Sequence, residues 1–219
     1  MGKILITGSK GNMGQALRGL SKSYELVDYD LPEYNATNYE QLVARLAGCQ
    51  ALVHMAFDLK RERSKTGNRG NPANIVMGEI ALAAAAEVGI QDCIMGSSVN
   101  AARDKGYDNE SYRTTKLRLE DSADLQAYRY PKTRFTSIRL GAVYSGGNPA
   151  PIAPLREDQT WISSGDLCGL VQAIIETPHT PGDPHQVVYG LSNRTDMPYP
   201  IENNFGWQPQ DWFGVDPNM

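Results

Sequence analysis

The stretch Lys3–Gly14, KILITGSKGNMG, sets glycines at positions 8, 11 and 14 directly behind an apolar run. Residues 3–7 read as a buried strand, and NMGQALRGLSK (12–22) reads as a helix. A glycine-rich turn between a first strand and its helix lets the backbone bend tightly and approach a pyrophosphate. The helix start then offers N–H groups and a favourable dipole to the phosphates. The same spacing also occurs in ordinary strand–helix turns. Its place at the first strand of a βαβ pattern is what points to a dinucleotide.

Beyond the turn, short apolar runs alternate with helical periodicity. Strands are expected at 24–30, 51–56, 92–98, 134–140 and 185–191, and helices at 38–48, 74–89, about 110–129 and 163–177. Strands alternating with helices mean βα units and a mainly parallel sheet. The expected fold class is α/β, a Rossmann-type doubly wound parallel sheet with a small C-terminal substrate lobe. No linker or repeat interrupts the chain, so residues 1–219 form a single domain in this reading. The cofactor-binding part covers about 1–140, and the lobe comes mainly from about 141–163 and 191–219. Two irregular stretches stand out: a polar, basic loop at 60–72 and a Gly/Pro-rich segment at 144–154. The tail after Leu191 has little periodicity and is expected to fold as loops and a short helix.

The 219 residues are 41% hydrophobic, enough for one sizeable core. A net charge of −4 argues against nucleic acid or an anionic membrane surface as the main partner. Cys49, Cys93 and Cys168 are scattered and share no metal-ligand spacing, so no metal is expected and a reducing compartment suits them. No apolar stretch approaches the roughly 20 residues of a membrane span, and the start of the chain does not resemble a signal peptide. The expected setting is the cytoplasm.

The second strand should end in a residue that meets the adenosine ribose. A carboxylate there bonds the ribose hydroxyls and repels a 2′-phosphate, which selects NAD. Asp28 and Asp30 both qualify, and Asp30 is preferred because it stands at the strand's end. Lys10, inside the turn, would instead attract a 2′-phosphate, so NADP stays open as the alternative.

A second constellation lies in SYRTTK, where Tyr112 and Lys116 stand one helical turn apart. Free tyrosine titrates near 10, and a neighbouring ammonium favours the phenolate and brings it towards neutral pH. Upstream, Ser97 and Ser98 end a strand at its carboxyl edge, where open α/β sheets bind ligands.

Together, T-G-x-x-G-x-x-G, the Asp after the second strand, VHMA, NIVMGE, a strand ending in Ser, and Y-x-x-x-K resemble the extended short-chain dehydrogenase/reductase family (NAD-dependent epimerase/dehydratases) over about the first 140 residues. The resemblance implies Ser98 as a substrate-orienting hydroxyl, Tyr112 as acid/base, and Lys116 as the residue that lowers its pKa and holds the nicotinamide ribose. It places the cofactor on Gly8, Lys10, Gly11, Asn12, Met13 and Gly14 of the turn, on Asp30, and on Met55 and Ala56. Asn74, Tyr112 and Lys116 complete that set, with Asn74 shaping the active site or capping its helix. From Ile138 onwards the chain is similar to uronate dehydrogenases, which carry an arginine five residues before a Trp. Here Arg156 precedes Trp161, with Ser163 and Asp166 after, and in the family that arginine grips a sugar carboxylate. Ser98, Asn100, Tyr112 and Arg156 are therefore the expected substrate contacts.

The chain also departs from those enzymes. Val99 and Asn100 stand where they have Asn-His, Ala142 replaces a serine, and Phe57-Asp58-Leu59 replaces a glycine-rich turn with serine. The implied activity is NAD(P)-dependent oxidation of a hydroxyl on a sugar or sugar acid. Two alternatives remain: a redox-neutral sugar epimerase with the same triad, and a non-catalytic dinucleotide-sensing protein. The expected partner is a small polar molecule, and a homo-oligomer is possible in this family.

Overall fold

The computed structural model describes residues 1–58, 72–102, 110–144, 160–194 and 197–212. The chain runs β1 (Lys3–Thr7), α1 (Asn12–Ala16), a 3-10 helix (Leu17–Lys22), β2 (Glu25–Tyr29), α2 (Tyr39–Leu46) and β3 (Ala51–His54). It continues through α3 (Pro72–Val88), β4 (Asp92–Ser98), a short 3-10 turn (Val99–Ala102), α4 (Glu110–Arg129) and β5 (Arg134–Leu140). Then come β6 (Ala142–Tyr144), β7 (Trp161–Ser163), α5 (Ser164–Glu176) and β8 (Gln186–Gly190). Among the described residues no helix is long and apolar enough to cross a membrane.

Six strands form one sheet in the order β2-β1-β3-β4-β5-β8, every pair parallel. Parallel strands covered on both faces are apolar on both faces, as Ile4-Leu5-Ile6 shows. Leu5, Leu52, Cys93 and Phe135 pack with residues of α2, α3 and α4 on one side. Ile4, Ile6, Val53, Ile94 and Ile138 pack with the 3-10 helix and α5 on the other. Five apolar positions that recur at helical spacing along α5, Leu167, Leu170, Val171, Ile174 and Ile175, are all buried there. The result is the expected Rossmann-type three-layer arrangement.

The chain leaves β1 for β2 on one side and returns to β3 on the other. A crevice opens where these two directions part, beyond the carboxyl ends of β1 and β3, and ligands bind such crevices in open α/β sheets.

Two elements escaped the sequence reading. β6 and β7 pair as a separate two-stranded parallel sheet, and three residues each is too short to show a period. The expected short helix in the tail is absent among the described residues. Segment 197–212 instead turns on Asn203, whose Oδ1 accepts from Phe205 N and Trp207 N. The segment is moored to α5 by Asp166, which accepts from Gln210 N at 2.7 Å and Asp211 N at 3.2 Å. Residues 145–159 and 213–219, much of the expected lobe, lie outside the described residues.

Candidate active site

The glycine turn is built by close approach. Gly8 has φ +69°, and a Cβ there would lie 2.7 Å from the backbone nitrogen of Ala56, behind β3. A Cβ on Gly14 would lie 2.4 Å from the Gly8 carbonyl oxygen, so only glycine lets α1 start against the turn. Gly11 N donates back to Gly8 O at 3.0 Å. Asn12 and Met13 follow in the first turn of α1, whose N–H groups have no partner within the helix.

Two cavities meet at this turn. The larger, about 700 Å³, reaches from Gly8, Lys10 and Gly11 past Asp30 and Leu31 to Ala73 and Met77. The smaller, about 250 Å³, is lined by Asn12, Met13, His54, Ser97, Tyr112 and Lys116, among others. Gly8, Gly11, Met55, Ala56 and Phe57 border both.

β2 ends at Tyr29, and Asp30 turns into the larger cavity. Its Oδ2 accepts from Lys10 N and its Oδ1 from Leu31 N, both at 2.8 Å. Asp28 is not among that cavity's lining residues and pairs with Arg18 at 2.7 Å. The Lys10 ammonium donates to Glu33 Oε2 at 2.6 Å and to Leu31 O at 3.0 Å. Glu33's carboxyl is held below its ordinary range by that bond.

In the smaller cavity Tyr112 and Lys116 project together from α4. Lys116 Nζ lies 5.6 Å from the Tyr112 ring centroid and 4.1 Å from that of Phe57, and donates to Gly96 O at 2.6 Å. The Phe57 and Tyr112 rings meet edge to face, 5.2 Å apart. Phe57 thus stands where the two cavities join, in a stretch the sequence marked only as replacing a glycine-rich turn with serine. His54 lies in the floor, its Nδ1 2.8 Å from Thr7 Oγ1. Burial, helped by Lys116, pushes its pKa down to about 3, so the ring is neutral.

Ser97 and Ser98 separate, as neighbours on a strand must. Ser97 borders the cavity and donates to Glu120 Oε1 at 2.5 Å. Glu120 is gripped by Arg139 through two bonds, 3.0 and 2.7 Å, and Arg139 also donates to Tyr189 Oη at 3.0 Å. Glu120 and Arg139 were missed in the sequence. The available signal was that Glu120 stands one turn beyond Lys116 on α4. Ser98 Oγ accepts from Asn100 N at 3.2 Å, and Ser98 is not among that cavity's lining residues.

Asn74 lies within the first turn of α3 rather than capping it. Its side chain clasps the backbone of Asp58, accepting from N at 2.7 Å and donating to O at 3.3 Å. This fixes the segment behind β3 that borders both cavities. Ser163 caps α5 by accepting from Asp166 N at 2.9 Å. Arg156 and residues 60–71 of the basic loop lie outside the described residues.

No protein-family model matches the chain, and no curated protein matches it in sequence. Solved structures do. Glucuronic acid dehydrogenase from Chromohalobacter salexigens superposes with a TM-score of 0.72 at 19% identity, over 96% of this chain and 85% of its own. A mutated uronate dehydrogenase gives 0.70 at 18% identity, over 100% and 89%. UDP-glucose 4-epimerase from Thermus thermophilus, in complex with NAD, gives 0.64 at 14% identity, over 88% and 78%. At such identities the likeness is one of architecture: the chain is built on the Rossmann fold that these enzymes share.

Proposed function

We propose that the chain is an NAD-dependent oxidoreductase of the extended short-chain dehydrogenase/reductase type. In this reading it oxidises a hydroxyl of a sugar or sugar acid, or runs the reverse reduction. The observation that carries this is the meeting of two independent sequence features in one crevice. The glycine turn and the Tyr112–Lys116 pair border the same cavity, although they stand more than ninety positions apart in the chain. The residues fit a dinucleotide. Gly14 admits no side chain, Asp30 waits where a ribose would lie, and the second cavity carries the reactive pair. The uronate dehydrogenases and the NAD-bound epimerase with the same fold support the choice of chemistry.

Gly8, Gly11, Asn12, Met13, Met55 and Ala56 would hold the cofactor's middle, Asp30 its adenosine ribose, and Lys116 its second ribose. When bound, nicotinamide supplies the hydride acceptor. Tyr112 takes the substrate hydroxyl proton, and the Lys116 ammonium favours the phenolate. By the family resemblance Ser98 would orient the substrate oxygen, its Oγ accepting from Asn100 N and its proton left to donate, although Ser97 is the serine that borders the cavity. Asn100 flanks it, and Arg156 would clamp a carboxylate with two parallel bonds.

Tyr112→Phe is expected to abolish turnover across a panel of aldoses, uronic acids and sugar phosphates with NAD, while NADH binding by titration survives. Full activity in that variant would overturn the mechanism. The epimerase reading has the fold of a known epimerase behind it. NADH released into solution during turnover would exclude it.

A further inference from the structure

Three charged side chains cluster beyond the end of β2: Asp30 and Lys10 line the larger cavity, and Glu33 pairs with the Lys10 ammonium beside it. Lys10 is the cation of that cluster, and it stands on the cavity wall beside Asp30. Its backbone N–H is held by Asp30 at 2.8 Å, and its ammonium is held by Glu33 at 2.6 Å and Leu31 O at 3.0 Å. An ammonium has three protons to donate, and two are engaged in this way. The cluster sums to one negative charge. A 2′-phosphate brings about two more negative charges to the same place.

We propose that Glu33 is a cofactor-specificity residue, which neutralises Lys10 and so makes the ribose end of the cavity reject a 2′-phosphorylated dinucleotide. The inference rests on the dinucleotide reading above and goes beyond Asp30. Asp30 would discriminate by bonding the ribose hydroxyls and repelling a 2′-phosphate, whereas Glu33 acts by removing the cation that would reward the phosphate. The sequence alone leaves Lys10 ambiguous, because nothing local joins it to a residue 23 positions away.

The test is a titration of NADH and NADPH binding by fluorescence. It uses the full chain, Glu33→Gln, Lys10→Met, the double variant and Glu25→Gln. Glu25 pairs with Lys3 at 3.2 Å, at the opposite end of β1 and β2, and serves as a control of equal charge change. Glu33→Gln is expected to tighten NADPH about five-fold, the scale of a contact between unit charges in water, while NADH changes less than two-fold. Adding Lys10→Met should erase that gain, and so should raising the salt to 1 M. An unchanged NADPH affinity in Glu33→Gln overturns the proposal. So does a gain that persists without Lys10, or one matched by Glu25→Gln. If the wild-type chain binds neither nucleotide, the dinucleotide reading itself fails. If it binds NADH and Glu33→Gln does nothing to NADPH, only this inference falls.

Discussion

Ser97 and Ser98 hold the same functional group one position apart, and the pleat of β4 gives them different work. The Ser97 proton is spent on a buried carboxylate. Ser97→Ala leaves Glu120 short of a donor and is expected to cost about 1–3 kcal/mol of stability in urea unfolding. Ser98→Ala should instead leave stability nearly unchanged and lower turnover about 100-fold, the usual cost of one lost donor at a reacting oxygen. Cofactor affinity should hold in both. The reverse pattern would assign the substrate oxygen to Ser97. The serine pair itself was visible in the sequence. The partner that separates the two roles was not, because Glu120 meets Ser97 only across the packing of α4 on the sheet.

At the scale of elements, the end of the sheet away from the site is locked by Arg134. It is fully buried where β5 begins, paired with Asp92 at 2.6 Å across β4. It also donates to Thr177 O at 2.9 Å and to Ile174 O, closing the carboxyl end of α5 with a positive charge. Arg134→Met strands a buried carboxylate and is expected to cost about 3–5 kcal/mol in urea unfolding. Arg134→Met with Asp92→Leu should recover most of that loss, since two apolar side chains need no partners. If the double variant is as unstable as the single, the bonds to α5 outweigh the ion pair. Secondary structure was legible here because it is local. Residues 92–98 and 134–140 show apolar runs, and α5 shows its stripe and its Ser163 cap. The three-residue strands β6 and β7 lacked the length to declare themselves.

Over the whole molecule, the crevice at the parting of β1 and β3 rests on a neutral histidine, and this makes stability depend on pH. His54 titrates at about 3 in the fold against its ordinary 6.5. Between those values the unfolded chain binds a proton that the folded chain refuses. His54 therefore removes stability as pH falls, by up to about 1.4 kcal/mol per unit. Asp92 works the other way, because burial outweighs Arg134 and raises its carboxyl from 3.8 to about 6. The informative quantity is the difference in unfolding free energy between wild type and His54→Asn from pH 7 to pH 4. That difference should narrow steadily as pH falls, and a constant difference would mean that His54 is protonated in the fold.

The sequence by itself determined the succession of the six strands of the main sheet and the helices between them, the glycine turn, and the Tyr112–Lys116 pair on one face of a helix. Each follows from periodicity or backbone sterics within a dozen residues. Only the tertiary structure decided that Asp30 rather than Asp28 enters the cavity, that Phe57 stands between the two cavities, and that Lys10 is matched by Glu33. The strand order β2-β1-β3 belongs with these. Such facts depend on which distant segments are brought side by side, and burial and charge pairing across the sheet settle that where no local pattern can.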